Sequence, residues 1–153
     1  MTADTPRWTP ARRLCVPLRL LLAGFAFAVF GLGGLLFRFP ITPLLNLIHD
    51  ENERRRRARL IVQRWFSYFV RMLTLLHLCR IEVIGRERLQ RPGLIIAANH
   101  PSLIDVICLM SLIPNGTTVV KASLTENPFT AAPIRAAGYV SNASGPELID
   151  PLR

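Results

Sequence analysis

The chain has 153 residues, enough for about one domain, and half of them are apolar although the formal net charge is +9. Eighteen arginines and a single lysine, Lys121, carry the positive charge, which directs the chain toward polyanions: lipid headgroups, nucleic acid or an acidic carrier protein. The three cysteines, Cys15, Cys79 and Cys108, are odd in number and contain no C-x-x-C pair, which argues against a disulfide framework or a zinc site and for reduced cytoplasmic thiols serving as small apolar fillers.

After a tail with Arg7, Arg12 and Arg13 comes an uncharged run from Leu20 to Phe37, LLLAGFAFAVFGLGGLLF. It is nearly long enough to cross a bilayer core. It exceeds the apolar core of a secretory signal, and no small-x-small cleavage site follows, so it reads as a retained anchor. A second apolar stretch, Ile41 to Ile48, begins after Pro40 and includes Pro43; it is too short to return across the membrane, and is expected to lie in the interface as the other arm of a helical hairpin. Four arginines precede the long run (Arg7, Arg12, Arg13, Arg19) and five follow it (Arg38 and Arg54 to Arg57), so the positive-inside comparison does not choose a side. Basic residues on both flanks also suit a segment that enters and leaves one leaflet.

From Asp50 to Cys79 the pattern is helical. Ile61, Trp65, Phe69, Met72 and Leu76 form an apolar stripe, opposed by Arg57, Arg64, Ser67, Arg71 and Thr74, and Asp50, Glu51 and Glu53 sit where the helix dipole favours negative charge. The ERRRRAR cluster at Glu53 to Arg59 lies close to the anchor, so lipid phosphate is its nearer polyanion and nucleic acid is not the expected partner.

The remainder alternates strand and helix, an α/β rhythm. Strands are expected at Arg80 to Ile84, Leu94 to Ala98 (buried), Thr117 to Val120 and Gly138 to Ser141; helices at Ser102 to Ile113 and Asn127 to Ala137. Neither a P-loop nor a dinucleotide-binding glycine pattern occurs.

The stretch LIIAANHPSLIDVICL, Leu94 to Leu109, carries the chemistry. His100 follows an expected strand and precedes a helix, at the sheet edge where α/β folds gather ligands. Asp105 lies in the first turn of that helix. In one reading its carboxylate turns back to fix the tautomer of His100, leaving the other ring nitrogen to take a proton. In the other, Ser102 and Asp105 form a capping box and His100 is an ordinary turn residue. Ser102 is not read as a nucleophile, because no G-x-S-x-G surrounds it. His49 and His77 are assigned no chemistry.

NHPSLID, Asn99 to Asp105, resembles the N-H-x-x-x-x-D signature of the lysophospholipid acyltransferase family, which includes bacterial 1-acylglycerol-3-phosphate acyltransferases. The similarity continues through VVKASLTENPF, Val119 to Phe129, and AAGYVSN, Ala136 to Asn142. It implies that His100 and Asp105 are the catalytic pair. It also implies that Asn99, Ser102, Lys121 and Gly138 contribute to substrate binding, with a strand-end lysine reaching solvent as the other reading of Lys121. No metal and no cofactor are implied; the partners are membrane lipids and an acyl donor, acyl-CoA or acyl carrier protein. The implied fold is a partial α/β sandwich behind an N-terminal membrane helix or hairpin. Its segments are 1–49 tail and anchor, 50–79 basic amphipathic helix, and 80–153 the N-terminal part of the acyltransferase domain. The implied location is the cytoplasmic membrane of a bacterium, with the domain facing the cytoplasm. Two departures stand out. The arginine that the family carries shortly after its second-block glycine is replaced by the run Tyr139, Val140, Ser141, Asn142, and the chain stops at Arg153, before any block resembling F-P-E-G-T-R. A truncated, inactive membrane module is therefore the alternative expectation.

Overall fold

A computed structural model describes residues 10–91, 93–99 and 102–142. The first element, α1 (Pro10–Leu36), runs into a π-helical turn (Phe37–Ile41) and on into α2 (Thr42–Asn46). Pro40 and Pro43 lack the N–H groups that an unbroken α-helix would use. The chain absorbs this by widening one turn: the Thr42 N–H reaches the Phe37 carbonyl, and Thr42 Oγ1 donates to the same oxygen at 2.9 Å. The hairpin expected between the two apolar stretches is therefore not formed. The helical chain continues through the prolines and reverses only after α2, so that its antiparallel partner is α3 (Glu51–Leu75).

Facing residues of α1 explain how it packs. Ala26, Phe30, Gly33 and Phe37 recur at helical spacing and turn inward, while Leu21, Phe25, Leu32 and Leu36 stay exposed on the other side. A Cβ on Gly33 would fall inside the Trp65 ring, and one on Gly34 would fall onto the Phe129 carbonyl, so glycine is what lets α1 approach this closely. Phe30 meets Phe69 with ring centroids 5.1 Å apart. Residues Val16–Asn46 form the one helix among the described residues long and apolar enough to cross a membrane, and only 22% of its most apolar window is buried, unlike a soluble core helix.

Asp50 caps α3 by accepting from the Asn52 N–H at 2.9 Å, and Glu51 and Glu53 occupy its first turn. Glu51 pairs with Arg55, and Glu53 with Arg56 and Arg57, both at 2.7 Å. Hydrogen bonds from those two arginines hold the Glu53 carboxyl down at about 2. Pairs this exposed organise the arginine face more than they stabilise it. The buried stripe is Ala58, Val62, Phe69 and Leu73, one position away from the expected one over much of its length; Ile61, Trp65, Met72 and Leu76 are half-buried. Ser67, expected in the solvent stripe, points inward to the Ser111 carbonyl at 3.0 Å, beside Gln63 Nε2 at 3.2 Å from the same oxygen. Arg59 Nε donates to the Ala137 carbonyl at 2.8 Å. Helix α3 thus satisfies the orphan carbonyls at the ends of α4 (Leu103–Leu112) and α6 (Ala131–Ala137).

The α/β alternation is realised only in part. The described residues are mostly helical, with one parallel pair, β1 (Val119–Val120) and β2 (Val140–Ser141), in register Val119 to Val140 and Val120 to Ser141. Helices α5 (Ala122–Glu126) and α6 form the crossover between them. The strands expected at 80–84 and 94–98 are extended chain without a ladder, separated by a 3₁₀ turn (Arg86–Gln90). Ile84 is 88% exposed and Ile95 94%, so the second is not a buried strand either. A strand is held by the backbone groups of a neighbour, and among the described residues none runs beside these segments. The expected helix from Asn127 starts later, at Ala131, because Asn127 Oδ1 accepts from the Phe129 N–H at 2.9 Å and turns the chain first.

Candidate active site

Helix α4 opens on a complete capping box. Ser102 sits in extended backbone, its Oγ accepts from the Asp105 N–H at 3.4 Å, and the Ser102 N–H donates to Asp105 Oδ2 at 3.0 Å. Ser102 Oγ also donates to Oδ2, at 2.8 Å. The capping reading of Asp105 is therefore realised. It does not exhaust the carboxylate, which has two oxygens and about four acceptor sites, since the two bonds it accepts both fall on Oδ2. Both residues are exposed, as is Asn99 just upstream. His100 and Pro101 lie outside the described residues, so the dyad expected from the sequence has one described member, Asp105.

The other two expected binding residues lie at opposite edges of the parallel pair, Lys121 after β1 and Gly138 before β2. Lys121 is exposed, directly after β1 and at the N-cap of α5. Gly138 ends α6 in the left-handed region, φ 65°, with its N–H on the Arg135 carbonyl and the Tyr139 N–H on that of Ile134. Asn142, which follows β2, binds back across the sheet edge. Its N–H donates to the Val120 carbonyl at 2.9 Å, and its Oδ1 accepts from the Ala122 N–H at 2.9 Å. Asn142 thereby locks β2 to the start of α5.

Between these parts lies a cavity of about 410 Å³, within the range of small-molecule sites. Phe30, Gly33, Gly34 and Phe37 of α1 and its π turn close one side; Val62, Trp65 and Phe66 of α3 form another. Leu103, Val106, Ile107 and Met110 of α4, then Val120, Phe129 and Tyr139, complete the wall, in which Arg64 is the one charged residue. Burial pushes the Tyr139 phenol up to about 12, against the opposing pull of Arg59. Burial likewise raises the Cys108 thiol of α4, with smaller effects from Cys79 and Asp105, which leaves that thiol a poor nucleophile. Among the described residues no three His, Cys, Asp or Glu side chains gather to hold a metal.

The family described as Acyltransferase matches residues 80–142, a stretch that includes Asn99, His100, Ser102, Asp105, Lys121 and Gly138. Residues 80–142 belong to the acyltransferase family. This family comprises 1-acylglycerol-3-phosphate acyltransferase-like proteins, and the domain supports acyltransferase activity in general. No curated protein and no solved structure matches the chain. Helix α1, its π turn and α3, which supply about half of the cavity wall, precede the matched acyltransferase segment. Sequence reasoning missed that wall. Its signal was present in Gly31, Gly33 and Gly34, a cluster of small residues in an apolar helix that marks a close helix approach.

Proposed function

We propose that this chain transfers a fatty acyl group from an acyl thioester, of coenzyme A or of an acyl carrier protein, to a hydroxyl of a lysophospholipid-like acceptor. The work is done at the cytoplasmic membrane of a bacterium, on its inner side, and draws on no cofactor. The observation that carries this reading is the apolar cavity of about 410 Å³, which reaches the first turn of α4 through Leu103 and Val106, on either side of Asp105 in the sequence. An acyl chain fits such a wall, with its thioester carbonyl at the α4 end. His100 removes the proton of the acceptor hydroxyl as that oxygen attacks the carbonyl carbon; the C–S bond then breaks and the imidazolium returns the proton to the departing thiolate. Asp105 favours the imidazolium by its charge. Helix α1–α2 holds the domain at the lipid surface, so both apolar substrates arrive from the leaflet. Asn99, Ser102, Lys121 and Gly138 are the binding residues that the family resemblance contributes to this reading.

The test uses the full chain in lipid nanodiscs with a labelled acyl thioester and a lysophospholipid. His100→Ala is expected to lower turnover by about 10²-fold or more, the scale of a lost general base. Asp105→Asn should also lower turnover, and Ser102→Ala should cost about 1 kcal/mol of stability through the lost cap. Unchanged turnover in His100→Ala would remove the base from the scheme. A second reading, a membrane-associated module without catalysis, is favoured by the run Tyr139, Val140, Ser141, Asn142 after Gly138, in which the arginine of the family's second block is not found. Wild-type protein inert toward every donor would support it.

A further inference from the structure

A second hollow, of about 380 Å³, lies on the opposite flank of α6 from the apolar cavity. Arg38 of the π turn, Arg54 and Arg55 of α3, and Arg135 of α6 line it, against a single carboxylate, Glu51. Glu51 is already paired with Arg55, and Arg135 Nη2 donates to the Thr125 carbonyl at 3.2 Å. Among the described residues, the guanidinium groups of Arg38 and Arg54 have no hydrogen-bond or ion-pair partner. Four arginines from three elements thus line one concavity with a net surplus of positive charge. Such a surplus is costly unless an anion neutralises it, and planar guanidinium donors match phosphate oxygens in pairs.

The position of this groove selects the source of the anion. Arg38 immediately follows the uncharged run Leu20 to Phe37, and Thr42, Leu45 and Asn46 of α2 complete the groove wall. Beside it, Phe39 is 68% exposed, Leu44 69% and Leu47 73%. Large apolar side chains left bare next to a ring of arginines are the two halves of an interfacial anchor: the former enter the acyl boundary, the latter stand at the depth of the headgroup phosphates. We propose that the Arg38–Arg54–Arg55–Arg135 groove binds the phosphate of an anionic phospholipid headgroup in the leaflet that holds α1–α2. The bound lipid docks α6 and the start of α3 against the membrane. This site is distinct from the acyl cavity and stands whether or not the chain catalyses transfer.

Calorimetric titration of the detergent-purified full chain tests it, with soluble short-chain phosphatidylglycerol as probe, and short-chain phosphatidylcholine and inorganic phosphate as comparisons. Phosphatidylglycerol should bind saturably, with phosphatidylcholine and phosphate each at least tenfold weaker. Arg38→Gln/Arg54→Gln should weaken phosphatidylglycerol by about thirtyfold, each cation being worth about fivefold at an anionic surface. Arg71→Gln, exposed on α3 outside the groove, should leave it unchanged. The Arg38→Lys/Arg54→Lys variant keeps the charge and should recover binding to within about tenfold, which separates a charge effect from a folding defect. Equal affinity for phosphate alone would make the site one for free phosphate, equal affinity for phosphatidylcholine would remove the charge recognition, and an unaffected double glutamine variant would remove the groove; each overturns the proposal.

Discussion

Tyr139 and Asp105 show how little a residue's type says about its task until its neighbours are known. Tyr139 lines the apolar cavity and packs on the cluster formed by Phe37, Leu45, Ala58, Val62 and Ala137, so its phenol stays neutral up to about 12. The ordinary value is about 10. Its contribution to stability is therefore complete below pH 10 and is lost as pH rises through about 12, since the unfolded chain sheds the proton first. In a Tyr68→Phe background, which leaves Tyr139 as the only tyrosine, phenolate absorbance should appear near pH 12 together with loss of helix; phenolate near pH 10 in a fully folded chain would contradict the burial. Asp105 was legible from Ser102-x-x-Asp105 spacing alone as a cap, and from NHPSLID as a member of a dyad. The first is met by bonds of 2.8 and 3.0 Å to one oxygen, and a carboxylate has a second oxygen with which to serve the other task.

Among the elements, the contact of α1 with α3 and with the turn before α6 is the one on which the cavity depends. Gly33 faces a side chain, the Trp65 ring, whereas Gly34 faces backbone, the Phe129 carbonyl. Gly33→Ala is expected to destabilise the protein by about 1–3 kcal/mol through overpacking. Trp65→Val should recover most of that loss, because a smaller side chain vacates the clash. Gly34→Ala should be as harmful and should not be rescued in the same background, because a backbone carbonyl cannot be trimmed. Thermal unfolding of the four variants in detergent measures the difference. Periodicity found α3 and α4 nearly to their ends, since a helix closes its own hydrogen bonds and announces itself within a few turns. It found β1 and β2 only at the last residues of the expected strands, and it missed at 80–84 and 94–98, since a β-ladder is a property of two segments and neither has a described neighbour.

At the level of the whole molecule, the long apolar helix is part of the cavity. Helix α1, read from sequence as a tether, supplies one side of the cavity while its other face stays exposed. An acyl chain held there should show an affinity rising about fourfold for each added methylene, from about 0.8 kcal/mol of burial each, until the cavity is full. Val106→Trp, which fills the α4 end, should move the preferred donor to a shorter chain. Comparing kcat/KM across a series of acyl thioesters measures both effects; a flat profile would detach the cavity from the acyl group.

What the amino acids determined unaided were the local and additive properties: an apolar run of bilayer length, a basic helix with its cap, the NHPSLID signature and the excess of arginine. These depend on neighbours within a few residues, or on composition. Tertiary structure alone decided that the prolines widen the first helix instead of folding it back, that α3 buries Ser67 and caps two other helices, and that Asn142 closes the sheet edge. It also decided that four arginines from three elements share one groove. Each of those outcomes joins residues far apart in the chain, and no period or motif along a single segment can encode which distant surface it will meet.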